Sequence, residues 1–142
     1  MTVFLDSSAL VKRYANEASA DLVRTVSDVI VICALARVEV PAALWRKHRM
    51  GEITAEDARV LSAQFGYDSR SDDGDLIVTR VDGVVLDRAV ALAARHPLRA
   101  YDAIQLAAAL IVEDVTGDCR FGCFDDALSS AASVEGLVPA WV

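Results

Sequence analysis

The chain has 142 residues, 54% of them hydrophobic, which is enough apolar material for the core of one domain. A formal net charge of −7 and a pI near 4.7 argue against a protein that holds nucleic acid through an overall basic field. No segment approaches the roughly 18 apolar residues of a membrane-spanning helix, and the N-terminus lacks a secretory signal. We therefore expect one domain over residues 1–142, located in the cytoplasm.

The cysteines Cys33, Cys119 and Cys123 are an odd number in a chain without an export signal, so we expect buried, reduced thiols. If Cys119 and Cys123 share a strand, they lie about 13 Å apart at about 3.3 Å per residue. That separation is too large for both to bind one zinc ion, so no metal–thiolate site is expected.

The N-terminal half alternates apolar runs with helical patterns. Ser7 or Ser8 is available to cap the first helix, and Gly51 can end the third. Thr54 and Asp57 have the spacing of a capping box, and the helix they begin would form a hairpin with the preceding one. The predicted elements are a strand over residues 2–6, helices over 7–17 and 18–27, a strand over 29–34, and helices over 35–50 and 54–70.

The C-terminal half continues this alternation after a turn-like segment at residues 71–75. Pro97 follows one helix and Gly117 ends the next. The predicted elements are a strand over residues 76–81, helices over 82–96 and 98–117, a strand over 119–126, a helix over 127–134 and a strand over 136–142. Apolar strands that alternate with helices indicate a three-layer α/β fold with a parallel central sheet.

Two aspartates, Asp6 and Asp125, each follow a predicted strand and precede a predicted helix. In a parallel α/β sheet the functional crevice lies at the carboxyl ends of the strands, near a switch in strand order. Asp6 and Asp125 would both lie there. Each could instead simply cap the helix that follows it.

Two further acids, Glu39 and Asp102, are isolated in apolar helical contexts, where an unpaired buried carboxylate is costly. Each could instead pair with a nearby arginine, Arg37 for Glu39 and Arg99 for Asp102, or lie on an exposed stripe. Together, the four carboxylates without a neighbouring histidine or cysteine favour a hard divalent cation such as Mg²⁺ or Mn²⁺.

A local basic segment, WRKHR, runs against the acidic balance of the chain. It contains Arg46, Lys47, His48 and Arg49. The segment is either a solvated helix face or a surface that contacts a polyanion or an acidic partner.

The sequence around the four acids resembles the PIN-domain family, and within it the VapC-like toxins of type II toxin–antitoxin pairs. The matching stretches are FLDSSALVKRY around Asp6, ARVEVPAALWR around Glu39, LRAYDAIQLAAAL around Asp102 and FDDAL around Asp125. They occur in the family's order and span nearly the whole chain. The resemblance implies one PIN-like domain, an α/β/α sandwich with a parallel sheet of four to five strands and a helical hairpin after the second strand.

The resemblance also implies an Mg²⁺- or Mn²⁺-dependent endoribonuclease that cleaves tRNA, rRNA or mRNA with a metal-activated water and leaves 5′-phosphate and 3′-hydroxyl ends. One or two ions would be involved. The metal-binding and catalytic quartet would be Asp6, Glu39, Asp102 and Asp125. Ser8 would bind a metal-bound water or a neighbouring carboxylate, unless it only caps the helix.

The implied partners are a VapB-like antitoxin and a second copy of the chain in a homodimer. Arg99, Arg46 and Arg49 are candidates to contact RNA phosphates or a partner.

The sequence departs from the family pattern at two positions. Pro41 stands two residues after Glu39, where the family commonly continues a helix, which leaves the placement of Glu39 open. Asp126 follows Asp125 directly and could be an auxiliary ligand or a helix cap. Two other classes compete: a non-catalytic binding module whose acidic crevice receives a partner's arginine, and an aspartate-dependent phosphatase or receiver-like domain. The phosphatase and receiver classes usually need a late lysine, and none follows Lys47.

Overall fold

A computed structural model describes residues 1–141 of the chain. The strands β1 (Thr2–Leu5), β2 (Val29–Cys33), β3 (Leu76–Thr79), β4 (Cys119–Gly122) and β5 (Val138–Pro139) form one parallel sheet in the order β3-β2-β1-β4-β5. The helices are α1 (Ser7–Leu10, continued by a 3₁₀ turn over Val11–Arg13), α2 (Ala20–Arg24), α3 (Ala36–Arg49), α4 (Ala55–Arg70), α5 (Gly83–Arg95), α6 (Ala100–Thr116) and α7 (Asp126–Val134). The predicted α/β/α fold with a parallel central sheet is confirmed.

Side-chain alternation along the strands divides the core into two layers. Val3 and Leu5 of β1 pack with α1 to α4, whereas Phe4 between them packs with α5 to α7. Successive side chains of a strand point to opposite faces, and here both faces are covered by helices. This double burial explains why the strands are apolar throughout.

The strand order reverses between β1 and β4. From β1 the chain adds β2 and β3 on one side, and it then returns to place β4 and β5 on the other side. The backbone N–H of Asp6 donates to the carbonyl of Gly122 at 3.1 Å, so the two strands remain paired up to their carboxyl ends. Asp6 and Asp125 flank this switch point, where ligand sites of open α/β sheets lie.

Several local helix signals in the sequence are confirmed. The helices α3 and α4 form the predicted hairpin after β2, and both capping-box bonds between Thr54 and Asp57 are present, at 3.0 and 3.1 Å. Gly51 and Gly117 adopt left-handed φ angles of 76° and 71° just past the ends of α3 and α6. Pro41 lies inside α3 without ending it. Glu39, whose placement the sequence left open, lies in the first turn of the same helix.

Other predicted boundaries were wrong. The first two helices are shorter than predicted because residues 14–19 form turns and irregular backbone, in which Ser19 has a left-handed φ of 67°. Lys12 Nζ donates to the Ala18 carbonyl in this segment at 2.8 Å, and Val23 of α2 packs in the core. The last strand has only two residues, one of them Pro139, which has no N–H for the ladder. Val142, the end of that predicted strand, lies outside the described residues.

The strand β4 also ends earlier than predicted, at Gly122. The three cysteines are buried free thiols, as predicted. None of the helices in the described part of the chain has the length and hydrophobicity that a membrane span requires.

Candidate active site

The four isolated acids meet around one cavity at the carboxyl edge of the sheet. Asp6 follows β1, Glu39 lies in the first turn of α3, Asp102 in the first turn of α6, and Asp125 follows β4. The cavity has a volume of about 160 Å³ and is lined by Asp6, Ser7, Ser8, Glu39, Arg99, Tyr101, Asp102, Gln105 and Asp125. Residues that are far apart in the sequence thus share one small acidic space.

Asp6 is the most buried of these acids, with 4% of its surface exposed. Its Oδ1 accepts hydrogen bonds from Ser8 Oγ at 2.7 Å and from the backbone N–H of Ala9 at 3.0 Å. Asp6 therefore caps α1 itself, and the prediction that Ser7 or Ser8 provides this cap was wrong. The reason is that Asp6 has the extended backbone of an N-cap residue, which places its carboxylate over the first helical N–H groups.

Ser8 has the neighbouring-carboxylate role that the family resemblance implied, since its hydroxyl donates to Asp6. The same hydroxyl accepts from the backbone N–H of Phe124 at 3.2 Å. Ser8 therefore connects the start of α1 to the segment after β4, and it holds the two sides of the switch point together.

The charge state of Asp6 is unusual for a carboxylate. The pKa of Asp6 is raised from 3.8 to about 7, mainly by burial and to a smaller extent by the nearby negative charges of Asp102 and Glu39. Hydrogen bonds from Ser8 and Ala9 lower the pKa and only partly offset the burial. No lysine, arginine or histidine of residues 1–141 forms an ion pair with Asp6. Strongly perturbed carboxyls of this kind concentrate at functional sites.

Glu39 is held by two donors that the sequence prediction did not identify. Its Oε1 accepts from Ser7 Oγ at 2.7 Å and from Gln105 Nε2 at 2.9 Å. The alternative pairing of Glu39 with Arg37 is absent from the ion pairs of residues 1–141, because side chains two positions apart on a helix do not face each other. A signal for Gln105 was present in the sequence: it is a polar residue in an apolar helix, three positions after Asp102 and thus on the same face.

The remaining two acids each combine a structural contact with a position in the cavity wall. Asp102 Oδ2 accepts from Arg99 Nε at 3.2 Å, the ion pair that the sequence offered as an alternative. Asp125 Oδ1 accepts from the backbone N–H of Leu128 at 2.9 Å and caps α7. Asp126 is the exposed first residue of α7 and does not line the cavity.

The donor set of the cavity fits a hard divalent cation. Each of the four acids has one oxygen in the hydrogen bonds above, and its second oxygen accepts none from residues 1–141. In these side-chain conformations no three Asp, Glu, His or Cys side chains of the described residues converge tightly enough to hold a metal ion. Mg²⁺ does not require such a cage, because it is usually bound by one or two carboxylates, several waters and substrate phosphates. Oxygen-only donors also favour Mg²⁺ or Mn²⁺ over zinc.

A larger groove of about 600 Å³ opens beside the acidic cavity and shares Ser7, Ser8, Glu39 and Arg99 with it. Both lysines of the chain line this groove, but both are paired with Glu17. Arg46 also lines the groove and has no ion pair within the described residues, whereas Arg49 is exposed and lies outside the lining.

The fold is an α/β/α sandwich, and four acids line one cavity at the switch point of its parallel sheet. These two features place the chain in a class of α/β proteins with an acidic cavity that is suited to a divalent cation. Residues 3–127 match the model of the PIN domain family, and the chain belongs to this family. No curated protein sequence matches the chain significantly.

Solved structures with the same fold include the toxin–antitoxin complex from Klebsiella pneumoniae, at 16% identity, 98% coverage of both chains and a TM-score of 0.64. PAE2754 from Pyrobaculum aerophilum is 18% identical over 99% of this chain and 84% of its own, with a TM-score of 0.61. VapC20 from Mycobacterium tuberculosis, a sarcin-ricin loop cleaving toxin, is 19% identical over 96% of both chains, with a TM-score of 0.65. At these identities the likeness establishes the fold.

Proposed function

We propose that this chain is an Mg²⁺- or Mn²⁺-dependent endoribonuclease that acts in the cytoplasm as the toxin of a toxin–antitoxin pair. The observation that carries the proposal is the buried, unpaired carboxylate of Asp6 in one cavity with three other acids. Burying an unpaired carboxylate is costly, so a fold that retains one gains something from it. Binding a cation at this position provides that gain.

Within this proposal, Asp6, Asp102 and Asp125 hold the cation, and Glu39 is either a further ligand or the base that orients the attacking water. When bound, the cation lowers the pKa of a water molecule and stabilises negative charge on the departing 3′-oxygen. Glu39 is suited to either role because Ser7 and Gln105 hold one of its oxygens and leave the other free.

The groove beside the cavity supports RNA as the substrate. Arg46 and Arg99 line it and can bind phosphates in a chain whose net charge is otherwise −7. The VapC20 structure, described as a sarcin-ricin loop cleaving toxin, has the same fold. Arg49, which is exposed on α3 and lies outside the groove lining, is proposed to contact RNA or a partner.

The cleavage test uses the purified chain free of any partner. RNA should be cut with Mg²⁺ or Mn²⁺ and left intact with EDTA, and the products should carry 5′-phosphate and 3′-hydroxyl ends. The variants Asp6→Asn and Asp102→Asn should lose most of this activity. The control Asp82→Asn, which changes a helix-capping aspartate outside the cavity, should keep it. Cleavage that survives EDTA, or 2′,3′-cyclic phosphate ends, would contradict the proposal.

The toxin assignment needs a partner. The likeness to the Klebsiella pneumoniae toxin–antitoxin complex supports an antitoxin partner. That this antitoxin is VapB-like, and that the chain forms a homodimer, is proposed from the family resemblance. A cognate antitoxin encoded beside this gene should abolish cleavage at stoichiometric concentration. A partner that binds without inhibiting would instead favour a scaffolding role for the acidic crevice. Neither lysine lines the acidic cavity, so the phosphatase and receiver alternatives gain no support.

A further inference from the structure

Gln105 is a buried polar residue at the wall of the acidic cavity, with 2% of its surface exposed. It lies on α6 one turn after Asp102. Its Nε2 donates to Glu39 Oε1 at 2.9 Å and to Ser7 Oγ at 3.0 Å. Because a carboxylate can only accept hydrogen bonds, the amide nitrogen and not the amide oxygen must face Glu39.

A purely structural role does not explain this amide. The neighbouring positions of α6 are filled by small or apolar buried side chains such as Ala103, Leu106 and Ala107. Gln105 Oε1 is buried and has no hydrogen-bond partner within residues 1–141. A buried, unsatisfied carbonyl oxygen costs about 1–3 kcal/mol, so an apolar residue would serve the core better. The amide of Gln105 lies at the position of α6 from which it contacts Glu39.

Ser7 acts on the same atom. Its hydroxyl donates to Glu39 Oε1 at 2.7 Å, and its oxygen accepts from Gln105 Nε2. The three side chains form a closed triangle in which Ser7 and Gln105 both restrain one carboxylate oxygen. The second oxygen of Glu39 keeps a defined direction and accepts no hydrogen bond from residues 1–141.

We propose that Gln105 and Ser7 are positioning residues that orient Glu39 toward the divalent cation. The inference rests on the proposed function, because it needs a cation in the cavity. Groups that orient a metal ligand typically change metal affinity by about 10–100-fold when they are removed. We expect that range for the loss of the Gln105 amide.

The test measures Mn²⁺ binding to the purified full chain without RNA, by electron paramagnetic resonance of the free ion. Gln105→Met keeps the length of the side chain and removes the donor, and it should weaken Mn²⁺ binding about 10–100-fold. Ser7→Ala should weaken it as well, and Ser7→Thr, which keeps a hydroxyl, should restore it. In the double variant, Mn²⁺ affinity should fall by less than the product of the fold-losses of the two single variants, because both donors restrain the same oxygen of Glu39. Leu106→Met, a volume-conserving change next to Gln105, is the control and should bind as the wild type does.

The outcomes separate the two proposals. Thermal unfolding in EDTA shows whether each variant is folded. If Gln105→Met does not fold, the Mn²⁺ affinity of Ser7→Ala provides the test instead. If the wild type binds Mn²⁺ and the folded variants bind it within about twofold, the positioning role is overturned while the proposed function stands. If the wild type binds no Mn²⁺, the proposed function fails and this inference fails with it.

Discussion

Replacing Asp6 by asparagine tests whether the Asp6 carboxylate lowers the free energy of unfolding. Raising its pKa from 3.8 to about 7 corresponds to about 4 kcal/mol of lost stability above pH 7, at about 1.4 kcal/mol per pKa unit. Asparagine keeps an oxygen that can accept from Ser8 and Ala9, and it is as good an N-cap as aspartate. Burying the new amide N–H₂ group has a desolvation cost of its own, which takes back part of the gain. We therefore expect the EDTA-treated variant to exceed the wild type by about 1–3 kcal/mol in free energy of unfolding near pH 8.

The sign of the pH dependence follows from the direction of the shift. In the unfolded chain Asp6 loses its proton near pH 3.8, whereas in the folded protein it keeps the proton to about pH 7. Between these values the folded state binds more protons, so wild-type stability falls as the pH rises and levels off above about pH 7. The variant lacks this titration. Its advantage should be absent near pH 4, grow through pH 5 to 7 and then remain constant.

Urea unfolding followed by circular dichroism, in EDTA and across this pH range, measures the difference. Asp82→Asn is the matched control, because Asp82 also caps a helix, through a 3.1 Å bond from the Val85 N–H, but is exposed. The control should change stability by less than about 0.5 kcal/mol at every pH. A variant at Asp6 that is less stable than the wild type near pH 8, or a difference that does not vary with pH, would refute the reasoning.

Three further outcomes are expected. Mg²⁺ affinity measured calorimetrically should be about tenfold higher at pH 8 than at pH 6, because Asp6 must lose its proton to bind the ion; a flat profile would contradict this. Arg46→Ala should weaken RNA binding and reduce its logarithmic salt dependence by about one, while Arg49→Ala, outside the groove, should change binding less; equal effects would argue against the groove. Gly122→Ala should lower the free energy of unfolding by about 1–3 kcal/mol in urea titrations, because the new Cβ would lie 2.6 Å from the Trp141 ring; unchanged stability would show that the ring moves freely.

The sequence alone determined the architecture and the identity of the four acids. Continuous apolar strands between amphipathic helices require a parallel sheet covered on both faces, and local signals such as Gly51, Gly117 and the Thr54 capping box depend only on neighbouring residues. The acids were visible because an isolated carboxylate in an apolar segment, such as Asp102, is costly unless it has a role. These properties are local, so they can be identified without the fold.

The tertiary structure alone decided which partner each of these residues has. Pattern and spacing indicated a cap for α1 but could not distinguish Asp6 from Ser7 or Ser8, because that choice depends on how β1 enters the helix. The restraint on Glu39 by Gln105 joins residues 66 positions apart, and no helical or strand periodicity links such positions. The pKa of Asp6 likewise depends on burial beneath several elements at once. Hydrogen-bond partners and desolvation are set by packing between distant segments, and the chain acquires both only when the sheet and its helices come together.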